Sequence, residues 1–301
     1  MNRSWPLWRS MLFVPAHVEK FVAAAHARGA DACILDLEDS VPPAQKAAAR
    51  AGLAAAAAQA GQGGAAVLVR INGDAALAAA DLDAAVMPQV RALLLPKVES
   101  AAQVRDCDSR VAELEQRRGM AQGHTLLIAQ IEHVRALPRL DEIAAGSPRL
   151  MGMILGSEDF SVSAGMEPTP EALYGPSQQV LFACRRAGIL PLGFPGSIAV
   201  FRDLELLRLL LRRAREMGFV GSYAIHPDQV REMNRIFTPS AEEVEQALAL
   251  LDADRAARAA GRGAFEFRGR MVDPPVVARA EEVLARAAAA QRAPQPEPPS
   301  A

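Results

Sequence analysis

Lysine is almost missing from this 301-residue chain: only Lys20, Lys46 and Lys97 occur, and arginine supplies the rest of the positive charge. The three lysines follow apolar strand-like runs. They are there either by chance in an arginine-rich chain or because those places need a compact ammonium rather than a guanidinium fork. Neither sign of charge dominates, since the formal net charge is -2. That balance excludes a broad basic face for nucleic acid and a polybasic membrane anchor. Long apolar runs are lacking too. No stretch of about 18 uncharged apolar residues is present, so no transmembrane helix is expected. The apolar run near the N-terminus is too short for a signal peptide, and a cytoplasmic protein is expected. Cysteine is scarce: Cys33, Cys107 and Cys184 are far apart, odd in number and never in C-x-x-C spacing. Buried thiols in a reducing compartment are the expectation. No H-E-x-x-H or paired histidines occur, which argues against zinc. No G-x-G-x-x-G follows a strand-like run, which argues against a dinucleotide fold.

What remains is a regular alternation. Short apolar runs at 11–15, 32–37, 66–71, 92–96, 125–131, 151–155, 189–193 and 223–225 are separated by segments of helical spacing. Continuous apolar runs suit parallel strands covered on both faces. Eight such βα units predict a (β/α)8 TIM barrel over residues 1–239, with an open doubly wound sheet as the runner-up. The segment 43–59 is alanine-rich and predicts one helix. Segment 201–217 carries leucines on one face and arginines on the other. Beyond the barrel, a C-terminal helical extension is expected over 240–292. Its first helix is announced by the capping box of Ser240 and Glu243, and its last begins after Asp273. The extension is long enough to fold over the barrel or to reach a neighbouring subunit. Prolines and small residues predict a disordered tail at 293–301.

In a barrel, chemistry sits at the C-terminal ends of the strands. Charged and polar residues stand at those ends: Asp36, Glu38 and Asp39; Arg70 and Asn72; Lys97 and Glu99; Gln130 and Glu132; Glu158 and Asp159; His226. Glu132 and Asp159 leave neighbouring strands, and two carboxylates with waters and substrate oxygens are the usual way to hold Mg2+. Asp159 is alternatively a helix cap. Arg70 either grips a substrate carboxylate or carbonyl and steadies an enolate, or pairs with Glu38 or Asp39. Glu38 and Asp39 are placed to orient metal-bound water. Lys97 as a Schiff-base lysine is disfavoured, because the carboxylate pair already offers a metal electron sink. His226 reads as a packed, hydrogen-bonded residue more readily than as a base.

Several stretches then stand in a familiar order: Arg9-Ser-Met-Leu-Phe-Val-Pro15, Asp36-Leu-Glu-Asp-Ser40, Val69-Arg-Ile-Asn72, Pro96-Lys-Val98, Gln130-Ile-Glu132, Gly156-Ser-Glu-Asp159, Gly218-Phe-Val-Gly221 and Ile225-His-Pro-Asp-Gln229. The set resembles the citrate lyase β-subunit-like family of the HpcH/HpaI aldolase superfamily. That resemblance implies a (β/α)8 barrel, a Mg2+ site (or Mn2+ in its place), and a CoA thioester of the citramalyl, malyl or citryl type as substrate. It also implies a homo-oligomer, trimer or hexamer. By position, Glu132 and Asp159 match the family's metal ligands, with Glu132 also on the substrate, and Arg70 matches its substrate-binding arginine. Asp273 matches an acid/base aspartate that acts in a neighbouring subunit's site, which gives it a second reading beside helix cap. One departure is visible: Pro195 stands where many members carry an aspartate. Lys20, Lys46, Arg50 and Arg9 are the candidates for the CoA phosphates.

The expected reaction is cleavage of a 3-hydroxyacyl-CoA to an acyl-CoA and a 2-oxo acid. Two rivals stay open. One is a CoA-independent, metal-dependent aldolase on a 4-hydroxy-2-oxo acid; the other is a catalytically inactive metabolite-binding barrel.

Overall fold

The computed structural model describes residues 5–291. Eight strands form one parallel sheet: β1 (Ser10–Pro15), β2 (Ala32–Asp36), β3 (Ala66–Arg70), β4 (Val90–Leu95), β5 (Leu126–Ile131), β6 (Leu150–Leu155), β7 (Leu190–Leu192) and β8 (Ser222–Ala224). Each strand pairs with its neighbour in sequence, and β8 returns to pair with β1. The circle is closed between β7 and β8 by two backbone hydrogen bonds alone, Gly193 N to Gly221 O at 2.8 Å and Val220 N to Pro191 O at 3.1 Å. The fold is therefore a (β/α)8 barrel, and the open sheet falls away. On the other side of β8, Gly221 permits the close approach to the chain entering β1, because a Cβ there would stand 1.9 Å from the Trp8 carbonyl oxygen.

The strands are apolar at both parities because both faces are covered. Met11, Ile34, Leu68, Leu94 and Ile128 point into the barrel, while Leu12, Cys33, Leu35, Val69 and Leu127 face the helices. All eight expected strands are present within two residues of their expected bounds. β4 begins earlier than its apolar run suggests, since Arg91 sits inside it and donates to the His124 carbonyl. The three cysteines are buried and free, and burial pushes each thiol up to about 12, so none is a nucleophile.

The expected single helix at 43–59 is instead two, Lys46–Ala51 and Leu53–Ala60, after a 3-10 turn. The break falls at Gly52, a weak helix former that local alanine propensity did not outweigh. The helix expected from 201 starts at Leu204, where Asp203 caps it.

The extension is a helical hairpin, Ala241–Ala259 and Pro274–Gln291, with a small β-hairpin, β9 (Phe265–Phe267) and β10 (Arg270–Val272), between them. Ser240 and Glu243 form the expected capping box. The first helix starts against the barrel, where Glu243 binds Arg215 at 2.7 Å, and the second ends there, beside Arg9 and Thr238. The β-hairpin and Asp273 therefore lie at the far end, about 28 Å along a 19-residue helix. The tail expected to be disordered, 293–301, lies outside the described residues. Among the described residues no helix is long and apolar enough to cross a membrane.

Candidate active site

The register of β2 on β3 sets Asp36 beside Arg70 at the strand ends. Their side chains form a bidentate pair, Nε to Oδ1 and Nη2 to Oδ2, both at 2.7 Å. Burial opposes the Asp36 charge, but the Arg70 hydrogen bonds outweigh it and hold this carboxyl below its usual range. Arg70 also meets Glu38 at 3.1 Å and Asp39 at 3.2 Å, and its guanidinium lies over the Phe13 ring at 4.9 Å. The pairing left open by the sequence is thus real, but its principal partner is Asp36, which the sequence did not single out.

Two of the three lysines converge on the same corner. Lys46 Nζ donates to the Leu37 and Glu38 carbonyls and to Asn72 Oδ1, filling its three donors. That arrangement suits an ammonium and not a planar fork. Lys97 Nζ donates to Glu38 Oε1 at 2.9 Å. The Lys97 backbone is left-handed, with φ 53, which is rare for a residue with a Cβ. In that conformation its N–H donates to Glu132 Oε2 at 2.6 Å. Such a held, uncommon conformation at a strand exit is a mark of a functional site. Lys20 is exposed.

Glu132 is buried, and Gln130 Nε2 donates to its other oxygen at 2.8 Å. Burial foremost, then the charges of Glu38 and Asp159, push its pKa to about 8. Gly156 makes room for it: a Cβ there would lie 2.5 Å from Glu132 Cγ. Asp159 stands in the first turn of the helix Ser157–Ala164, whose N-cap is Gly156 with no side-chain cap bond. Asp159 is therefore not the helix cap that was its alternative, although the helix N-terminus favours its charge. Beside it, Glu158 accepts from Ser157 at 3.1 Å and from Ser197 at 2.6 Å, which ties the loop after β7 to this helix. Pro195 lies in that loop, and its neighbours Phe194 and Ile198 face the cavity.

Glu132, Asp159, Asp36, Asp39 and Glu158 line one cavity of about 480 Å3, and Arg70 is the lining cation. The lining also has an apolar part, formed by Phe13, Ile154 and Phe194. Negative charge is in excess and sits in part on a buried carboxylate, so the donor set fits a divalent cation. No group of three or more His, Cys, Asp or Glu among the described residues is arranged to hold a metal. A cation here would rest on two carboxylates, which is how Mg2+ is commonly held, and not in an all-protein cage.

Other candidates fall outside the cavity. Asp273 caps the last helix weakly, with Val276 N at 3.4 Å from its Oδ1, and does not line the cavity. His226 caps the helix Pro227–Phe237 through Nδ1, hydrogen-bonded as expected, but its side chain is 42% exposed and not packed away. Of the CoA-phosphate candidates, Arg9 is paired with Asp31 at 2.6 Å and Arg50 with Asp81 at 2.7 Å, and Lys46 is committed as above. These three are thus engaged in structural contacts, although Arg50 Nη2 has no partner, and Lys20 stands exposed.

An acidic, half-apolar cavity at the C-terminal ends of a closed parallel barrel stands where (β/α)8 enzymes carry their active sites. The particular lineage follows from comparison: residues 9–227 match the HpcH/HpaI aldolase/citrate lyase family, and the chain belongs to that family of carbon–carbon lyases. It is 36% identical over 296 residues to an L-malyl-CoA/β-methylmalyl-CoA lyase of Cereibacter sphaeroides, covering 91% of each chain. It is 34% identical to the citrate lyase subunit β of Escherichia coli, covering 93% of each. Among solved structures, protein CitE of Mycobacterium tuberculosis, in complex with magnesium, acetoacetate and coenzyme A, matches with TM-score 0.72 and 33% identity over 93% of this chain and 97% of that one.

Proposed function

We propose that the protein is a Mg2+-dependent lyase that cleaves a 3-hydroxyacyl-CoA of the malyl, citramalyl or citryl type to an acyl-CoA and a 2-oxo acid. The observation that carries this reading is the buried Glu132 beside Asp159, in a cavity whose lining cation, Arg70, is already paired with Asp36. One relative named above is a lyase of malyl-CoA and β-methylmalyl-CoA, and the CitE structure holds magnesium with coenzyme A. Glu132 and Asp159 hold the metal. The metal supplies Lewis-acid stabilisation of oxygen charge. Glu132 is aimed by the Lys97 amide and by Gln130. Arg70 stabilises the thioester enolate as the C2–C3 bond breaks and the hydroxyl carbon becomes the 2-oxo carbon. The hydroxyl gives its proton to solvent water, and the protonated Asp273 of a neighbouring copy gives its own to the enolate carbon and is reprotonated by water, so protons balance. Glu38 and Asp39 hold Lys97 and Arg70 in place. The protein works as a cytoplasmic homo-oligomer.

The test is to incubate the protein with malyl-CoA, citramalyl-CoA and citryl-CoA, with and without Mg2+, and to assay acyl-CoA and 2-oxo acid by chromatography. Metal-dependent cleavage of at least one ester is expected. Cleavage of a 4-hydroxy-2-oxo acid with no response to CoA esters would replace the reading with the CoA-independent aldolase. No cleavage of any of these would favour a binding barrel.

A pH dependence follows from Glu132. Its folded pKa, about 8, lies above the ordinary glutamate value of 4.5, so the metal-free folded state holds its proton more tightly than the unfolded chain. Between those values the folded state binds more protons, and stability contributed by this group is lost as pH rises. Metal binding requires the carboxylate and cancels that loss. In calorimetric scans at pH 5 and pH 8, the Tm gained on adding Mg2+ should be larger at pH 8. An equal gain at both would show that Glu132 is not the coupled group.

A further inference from the structure

Tyr223 lies on β8, in register with Met11 of β1, and its side chain points into the barrel. The residue is 3% exposed, and its Oη has no hydrogen-bond partner. It lines the same cavity as Arg70 and Glu132, and both charges act on it. The ring is fixed edge-on against Phe13 at 5.2 Å, and Phe13 in turn carries the Arg70 guanidinium. A hydroxyl covered in this way is costly compared with a phenylalanine of the same shape. The surrounding layer of Met11, Ile34, Leu68 and Ile154 would accept the plain ring. The packing does not explain the oxygen; the cavity does.

We propose that Tyr223 is a substrate-contacting residue whose phenol O–H donates a hydrogen bond to the reacting acyl group, at the oxygen where negative charge develops. The inference rests on the reading of this cavity as a thioester lyase site. Burial keeps the phenol protonated, so it can only be a donor to an oxyanion at working pH. It thereby complements Arg70: the guanidinium is held by three carboxylates, whereas the phenol's single donor meets no protein acceptor. A donor that gains its partner only as an oxyanion develops acts mainly on the transition state.

Tyr223→Phe removes only the oxygen. The expected result is a fall in kcat of at least about tenfold with KM within about threefold, and a Tm equal to or above that of the parent. The joint readout separates chemistry from packing, because a structural role would lower Tm. Unchanged kcat, or a loss of turnover accompanied by a loss of Tm, overturns the proposal. Calorimetric binding of oxalate, a planar mimic of an enolate, is measured with Mg2+ on both proteins. Should the parent cleave no ester, the lyase reading falls, and oxalate decides Tyr223 separately: weaker binding by the variant supports the donor, and equal binding overturns it.

Discussion

Glu132→Gln will lower turnover about a thousandfold while leaving the barrel folded. The loss is large because the carboxylate is the buried half of the metal-holding pair, and removing one preorganised charge from a reacting centre costs about 10²–10³ in kcat. The fold survives for a specific reason. Glu132 accepts from the Lys97 amide and from Gln130 Nε2. The new amide keeps one acceptor for Lys97 and gains a donor. Gln130 can turn its own amide to receive that donor, since its Oε1 has no partner in the present arrangement. The substitution also removes a carboxyl whose ionisation burial opposes. The variant's Tm at pH 8 without metal is therefore expected to equal or exceed the parent's, and its Tm should no longer respond to Mg2+. Full turnover in the variant would remove Glu132 from the site.

Asp273→Asn should depress kcat by about 10²–10⁴-fold, the range for losing a positioned general acid–base group, with KM little changed. Asp273 stands about 28 Å along the helical hairpin from the barrel and outside the chain's own cavity. It can serve chemistry only where another copy brings its hairpin to a barrel mouth. Mixing decides this. Glu132→Gln and Asp273→Asn proteins, each inactive alone, are co-refolded in equal amounts. If Asp273 acts across a head-to-tail interface, about a quarter of the sites pair an intact Glu132 with an intact Asp273, and activity returns to about that fraction. No recovery, with both variants correctly assembled, would place Asp273 in a structural role as the cap of its own helix.

The barrel was readable because β2, β4 and β5 are apolar at both parities, and only a sheet covered on both sides rewards that pattern. The acids at strand ends were readable for the same reason: a charge that abuts such a run must lie at a rim. Partnership was not readable. Asp36 and Arg70 meet because of the stagger between β2 and β3, and the linear sequence carries no record of which residues stand side by side. The left-handed turn at Lys97 left no trace either, since glycine is the usual marker of that conformation and it is absent here. Tyr223 passed as an ordinary strand aromatic, because its distinguishing property is a missing partner. The split of the helix at Gly52 was visible as a glycine but was overridden by ten alanines in the segment 43–59.

The join between β7 and β8 has a mechanical consequence. Elsewhere around the hoop, neighbouring strands share ladders, and here two amide links bridge three-residue strands. A ring fails first at its thinnest weld, and this one lies under Phe194 on one side and Tyr223 on the other. Warming should thus loosen the catalytic rim before the helices melt, so hydrogen exchange at Gly193 and Val220 will outpace that of the opposite wall, and heat inactivation will run ahead of the loss of helical signal.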